Sequence, residues 1–246
     1  MTAATTAEAQ TRSDLAACYR LVERFGMSDT IYTHISARLP DRPDVILLNP
    51  YGLMFDEVTA SNLIAVDLEG EVQGKSAHPV NTAGFVIHSA IYTARPDVQC
   101  VIHSHTTAGM AVSALACGLL PISQPAMQFH RRIGYHDYEG LATDFDECER
   151  LVHDLGPHHA MILRNHGLLV ACKSIPSAFE DMFYLEKACR TQIETLSCQR
   201  ELVVPSDDVC EQTAQQYETV GVQQPGMRLW KALLRKLDAE SSDYRC

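Results

Sequence analysis

Apolar residues recur along this chain in two rhythms, three to four residues apart and every second residue, and the changes from one to the other mark its elements. Between Thr11 and Phe25, the residues Leu15, Cys18, Leu21, Val22 and Phe25 share one helical face and Gly26 ends the run. Three strands are expected next. Residues Thr33 to Arg38 alternate, Asp44 to Asn49 is an apolar run bounded by Pro43 and Pro50, and Asn62 to Asp67 leads into a Glu69-Gly70 turn. Thr82 to Ala94 returns to helical spacing, with Phe85, Ile87, His88, Ile91 and Tyr92 suited to one buried face, and Arg95-Pro96-Asp97 ends it before the strand that carries Cys100 to His105.

The second half continues the alternation without repeating the first. The pattern predicts a helix over Thr107 to Leu115, an irregular or extended crossing over Pro121 to Met127, and a charged amphipathic helix over Phe145 to Leu155. Strands follow at Ala160 to Arg164 and Leu168 to Ala171. A long helix spans Ser174 to Cys198, with Pro176 in its first turn. Residues 199–224 are polar and Gln-rich, and Pro225 to Leu237 reads as a short terminal helix with the single tryptophan, Trp230. Strands and helices interleaved over one unit imply α/β layers. No Pro/Gly/Ser-rich linker divides the chain, so residues 11–200 form one expected domain, preceded by a flexible N-terminus (1–10) and followed by a C-terminal extension (201–246) with a terminal helix.

Composition narrows the functional classes. A net charge of −11 over 246 residues, with basic residues scattered, disfavours nucleic acid and anionic membranes as partners. No apolar stretch approaches the ~20 residues of a membrane span, and residues 1–13 lack the apolar core of a secretory signal, so a cytoplasmic protein is expected. Nine cysteines include no CxxC and fall mostly in apolar or helical contexts, as small reduced core residues do.

The candidate chemistry lies in histidines. His103 and His105 stand at i and i+2 on a strand, so both imidazoles project from the same face. His166 follows another apolar run and precedes Gly167, near a strand end where loops carry chemistry. Three neutral imidazoles suit a divalent cation such as zinc, iron, manganese or cobalt and leave positions open for substrate or water. The alternative is three half-buried histidines with satisfied hydrogen bonds, but the apolar run before each would make an unpaired imidazole costly.

The string from Arg95-Pro96-Asp97 through His103-Ser104-His105, the segment Leu163-Arg-Asn-His-Gly-Leu168 and the helix after it together resemble the class II aldolase/adducin family, over about Leu15 to Cys198. Asn49-Pro-Tyr-Gly52 resembles the strand-and-turn element of that family in the same order. The resemblance implies a three-layer α/β/α domain around a largely antiparallel sheet, assembled as a homotetramer with sites between subunits. It also implies His103, His105 and His166 as ligands of a divalent metal.

Departures from the family pattern bear on substrate. The sugar-phosphate aldolases of the family carry an acid/base glutamate nineteen positions before the first metal histidine; here that position is Gly84, and Asn81 and His78 are the nearest polar substitutes. Asn81 can orient a substrate but cannot take up a proton at neutral pH. Where phosphate-binding members have clustered donors, this chain has Thr33-His34, Tyr51-Gly52 and Thr82-Ala83, which disfavours a phosphorylated substrate. His34, Asn49, Tyr51 and Gly52 are the candidate substrate contacts; the competing reading packs His34 and Tyr51 under the sheet edge.

Residues Gln124 to Gly140 are dense in His130, Tyr135, His136 and Tyr138 and resemble the adducin-like branch. Tyr135, with His130 beside it, is the candidate proton donor, acting across a subunit interface; the alternative is that the stretch only builds that interface. Three functional classes remain: a metal-dependent carbon–carbon lyase, aldolase or decarboxylase, on a non-phosphorylated hydroxy or keto acid; a non-haem iron(II) oxygenase on a similar acid; and an adducin-like interaction module without catalysis. The intact histidines favour the first.

Overall fold

In the computed structural model, which describes residues 6–140, 145–219 and 226–246, seven strands form one sheet in the order β3-β2-β1-β4-β7-β6-β5. The strands are β1 (His34–Leu39), β2 (Arg42–Leu48), β3 (Ile64–Asp67), β4 (Cys100–Ser104), β5 (Ile133–His136), β6 (Ala160–Leu163) and β7 (Gly167–Cys172). Only β5 and β6 pair in parallel; the other neighbours are antiparallel. Helices α1 (Thr6–Arg24), α2 (Thr82–Ala94), α3 (Thr107–Ser113), α4 (Gln124–Met127), α5 (Phe145–Leu155), α6 (Ile175–Ser197), α7 (Asp207–Thr219) and α8 (Met227–Glu240) surround it. None of the described helices is long and apolar enough to cross a membrane.

Side-chain alternation along the strands sorts the core into two layers. Ile35, Ala37, Leu47, Cys100, Ile102, Ile162 and Val170 face α1, α6 and α8 in the larger layer. Ile46, Leu48, Val66, Val101, Met161 and Leu169 face α2 and α5 in the smaller one. The architecture is therefore three-layer α/β/α with a largely antiparallel sheet. Strands buried on both faces explain why β4, β6 and β7 read as short apolar runs and not as clean alternations.

The elements that the sequence pattern missed are set by contacts that apolar periodicity does not register. Residues 6–10, expected to be flexible, form the first turns of α1, where the Arg12 side chain then reaches the carbonyl oxygens of Ala60 and Leu63; residues 1–5 lie outside the described residues. The crossing after Pro121 contains α4, started by Ser123, whose side chain accepts from Ala126 N–H. Strand β5 is a four-residue edge strand in a segment whose aromatic and basic residues suggested chemistry. Helix α7 buries only Cys210 and Ala214, too little for periodicity to show, and is held by ion pairs from Arg131 and Arg132 to Asp207, Glu211 and Glu218.

The C-terminal extension is part of the main core. Trp230 packs against Phe179 at 6.0 Å, and the backbone N–H groups of Ala60 and Ser61 donate to the carbonyls of Tyr244 and Cys246. Pro225, the expected start of the last helix, lies outside the described residues; α8 runs from Met227.

Candidate metal centre

The sheet register assembles the site. On β4, Val101 and His103 point to the α2/α5 side, and His105 follows just beyond the strand on the same side. β7 lies next to β4 with Ser104 opposite Leu168, so the β6–β7 turn brings His166 over the end of β4. Gly167 makes that approach possible: a Cβ there would run into Ser104 O and come within 3.2 Å of the His105 ring. The glycine of the Asn165-His166-Gly167 turn is thus required by a close backbone approach.

His103, His105 and His166 bring their ring nitrogens within 4.8 Å of one another. His103 Nε2 lies 2.8 Å from His105 Nε2, which lies 3.0 Å from His166 Nε2. The second nitrogens define the tautomers. His103 Nδ1 is 2.9 Å from Leu168 O and His105 Nδ1 is 3.0 Å from the Asp29 carboxylate, and both oxygens can only accept, so both Nδ1 atoms carry the proton. In their neutral forms the two imidazoles would direct lone pairs at each other across 2.8 Å. That arrangement is repulsive unless a proton or cation lies between them, and it suits a divalent ion held by orienting hydrogen bonds to the far nitrogens. Burial lowers the pKa of His103 well below the ordinary histidine range, assisted by the neighbouring imidazoles, and lowers that of His166 to about 4. Rings kept neutral are ready ligands.

His34 sits directly opposite His103 on β1, its ring 5.1 Å from that of His103, and is buried. It therefore adjoins the site, and burial holds its pKa well below the usual value. The other expected substrate contacts lie just past β2 and in the turn that follows it. Asn49 is buried with its side-chain oxygen 2.9 Å from the Tyr19 hydroxyl, Tyr51 N–H donates to Pro79 O, and Gly52 occupies a turn with φ of 101°. The Asn81 side-chain oxygen accepts Gly84 N–H at 3.3 Å as the cap of α2, which accounts for an asparagine there without catalysis.

Tyr135 differs from its expected role in position. Its ring packs against the larger core layer with Arg164 4.4 Å over it, and its hydroxyl accepts Leu119 N–H at 3.0 Å, tying it inside its own subunit. His130 pairs with Asp207 at the start of α7, 3.1 Å away. The aromatic of this segment that does approach the triad is Tyr138, 54% exposed with its ring 6.4 Å from that of His166. Asp29 and His88, which sequence reasoning passed over, are partners of His105 and His34. A small cavity of about 10 Å³, room for roughly one water, separates His166 from His136 and Glu147.

Residues 13–193 match the model of the Class II Aldolase and Adducin N-terminal domain. The chain belongs to the class II aldolase/adducin family. Within that family it is 46% identical to an aldolase II superfamily protein from Pseudomonas syringae, with a TM-score of 0.93 and coverage of 99% of this chain and 98% of that one. It is 30% identical to L-fuculose 1-phosphate aldolase from Glaciozyma antarctica PI12, at a TM-score of 0.86 and coverage of 100% and 96%. It is also 46% identical to Alpha-adducin of Rattus norvegicus over 189 residues, which are 76% of this chain and 26% of that protein.

Proposed function

We propose that the chain is a divalent-metal-dependent carbon–carbon lyase, an aldolase or decarboxylase, acting on a non-phosphorylated hydroxy or keto acid. The observation that carries this reading is the convergence of three ring nitrogens, with His103 Nε2 2.8 Å and His166 Nε2 3.0 Å from His105 Nε2. A zinc, iron, manganese or cobalt ion held by these three nitrogens would supply a Lewis acid toward the oxygens of the acid and the charge that develops as the carbon–carbon bond breaks. Leu168 O and Asp29 hold two of the rings in the ligating tautomer. The exposure of Tyr138 and its ring 6.4 Å from that of His166 support a contact from it to substrate or to a neighbouring subunit. Gly84 leaves no carboxylate at the acid/base position of the sugar-phosphate enzymes, which favours cleavage that does not begin with proton removal, as in decarboxylation.

Among the described residues, the cavity beside His166 has room for about one water, which supports a site completed between subunits of a homotetramer; light scattering tests the assembly. Elemental analysis of anaerobically purified protein tests the metal: zinc or manganese near one equivalent supports the lyase, iron with oxygen uptake in the presence of substrate redirects the reading to an oxygenase, and no metal overturns both. The 46% identity to alpha-adducin favours a second reading, an interaction module. Metal bound tightly in the purified protein, with turnover of any 2-hydroxy or 2-keto acid, decides against it. Efficient cleavage of L-fuculose 1-phosphate would overturn the non-phosphorylated substrate class.

A further inference from the structure

Behind the triad runs a buried polar chain that metal binding alone does not explain. His34 Nδ1 lies 3.0 Å from His88 Nε2 on α2, His88 Nδ1 lies 2.6 Å from Ser36 Oγ on β1, and Ser36 Oγ lies 2.9 Å from the Tyr92 hydroxyl, which donates to Ser36 O at 3.0 Å. All four residues are buried. Sinking two imidazoles in a core layer is costly unless their nitrogens are bonded, and here three of the four are. Among the described residues the exception is His34 Nε2.

Its direction follows from the ring. With Nδ1 turned to His88, Nε2 lies on the opposite side, and a Cβ built on Gly84 would come within 2.6 Å of it and 2.7 Å of Cγ. His34 thus fills the space that a side chain at position 84 would enter, alongside His103. Among the described residues, the nitrogens close enough to share an ion are those of His103, His105 and His166, so His34 Nε2 stands beside the ligand set and not in it.

We propose that His34 Nε2 hydrogen-bonds an oxygen of the hydroxy or keto acid bound at the triad, and that His88, Ser36 and Tyr92 are positioning residues that fix its ring and tautomer. This rests on the metal reading above. Two features follow from it. A side chain at 84 and an imidazole at 34 exclude one another, which makes Gly84 a condition for His34 and not merely the loss of a carboxylate. The site also selects a compact acid whose oxygens reach both the ion and β1, since the volume next to His103 is already taken by the ring.

The test uses the full-length protein reconstituted with cobalt(II), with glycolate as the probe and the visible absorption of cobalt as the readout. Wild type should bind one cobalt and show a saturable spectral change with glycolate. His34→Ala should keep the cobalt and weaken glycolate by roughly tenfold to a hundredfold, the loss of one hydrogen bond to a charged group. His34→Gln, whose amide reaches the position of Nε2, should recover part of that loss and guards against a folding artefact in the alanine variant. Ser36→Ala should leave cobalt stoichiometry unchanged, weaken glycolate less, and move the ¹⁵N shifts of His34 toward a mixture of tautomers, which a purely structural serine would not do. Gly84→Glu should lower the melting temperature in the presence of His34 and less so in His34→Ala. Glycolate binding unchanged in His34→Ala overturns the proposal, as does loss of cobalt from that variant, which would make His34 a ligand. Failure of wild type to bind cobalt would instead refute the metal reading itself.

Discussion

Two stretches of this chain are rich in histidine and tyrosine, and the structure gives them opposite uses. Around β4 and the β6–β7 turn, hydrogen bonds occupy the far nitrogens of His103 and His105 and leave Nε2 atoms converging on one point. Around β5, most polar atoms are spent on holding elements together: His130 on Asp207 of α7, Tyr135 on the backbone of Leu119, and His136 Nδ1 on Asp154 of α5 at 2.8 Å, with His136 Nε2 left, among the described residues, as a single unpaired atom 3.8 Å from Glu147. Residue type is the same in both. What separates a candidate site from a brace is whether the hydrogen-bond inventory leaves convergent atoms over, and that depends on which backbone and carboxylate oxygens the fold brings near.

The comparison breaks most readily at the triad. Replacing His103 or His166 by alanine should drop bound divalent metal well below one equivalent while far-ultraviolet circular dichroism stays native, because the sheet that carries them is packed by other residues. His153→Ala, with its side chain 87% exposed, serves as the control and should retain metal. Full metal content in a His103/His105/His166 triple variant would end the assignment.

Next in size is Gly167→Ala, which drives a methyl group into Ser104 O and against the His105 ring. We expect it to destabilise the protein by roughly 1–3 kcal/mol in denaturant melts and to weaken metal binding as the turn moves. A native-like melt would show that the turn has slack the geometry denies. Asp29→Asn is subtler: His105 keeps a partner but loses a charged one, and metal affinity should fall by roughly tenfold to a hundredfold in competition with a chelator, with little change in stability.

On the other stretch, Tyr135→Phe should cost about 1 kcal/mol, one hydrogen bond, and leave metal content and turnover near wild type, whereas Tyr138→Phe should lower turnover. The reverse result would return the catalytic tyrosine to β5. The smallest effect concerns α7. Arg132 holds the Glu211 carboxyl down to about 2 from 4.5, so this contribution is complete above about pH 4.5 and is lost as pH falls toward 2. Exchange of α7 amides should rise across that window in wild type, and Arg132→Ala should show fast exchange already at neutral pH.

Much of the fold could be read in advance because burial wrote it into the sequence. Strands β4, β6 and β7 are apolar runs and α6 carries a full helical stripe. α5 also shows in its pattern, with Leu151 and Leu155 at i and i+4 on the face that meets the smaller core layer. Where elements are held by charge or by the edge of the sheet, periodicity was silent, as for α7 and β5. Within the site, the spacing of His103 and His105 marked a common face at once. The ring of His34 lies 5.1 Å from that of His103, while Tyr135 and Asn81 have hydrogen bonds in their own subunit that no spacing could reveal.

Sequence by itself determined the layered α/β fold and the pairing of two imidazoles on one strand, since the period-two alternation of a strand and the apolar spacing of helices are local properties. Only the tertiary structure decided that His166 Nε2 comes to 3.0 Å from His105 Nε2, that Asp29 and Leu168 O turn two ring nitrogens inward, and that His34 fills the space left by Gly84. Those are contacts between residues 61 to 76 positions apart for the triad and its carboxylate, and 50 apart for His34 and Gly84. They depend on strand order and register, which a linear pattern does not encode one residue at a time.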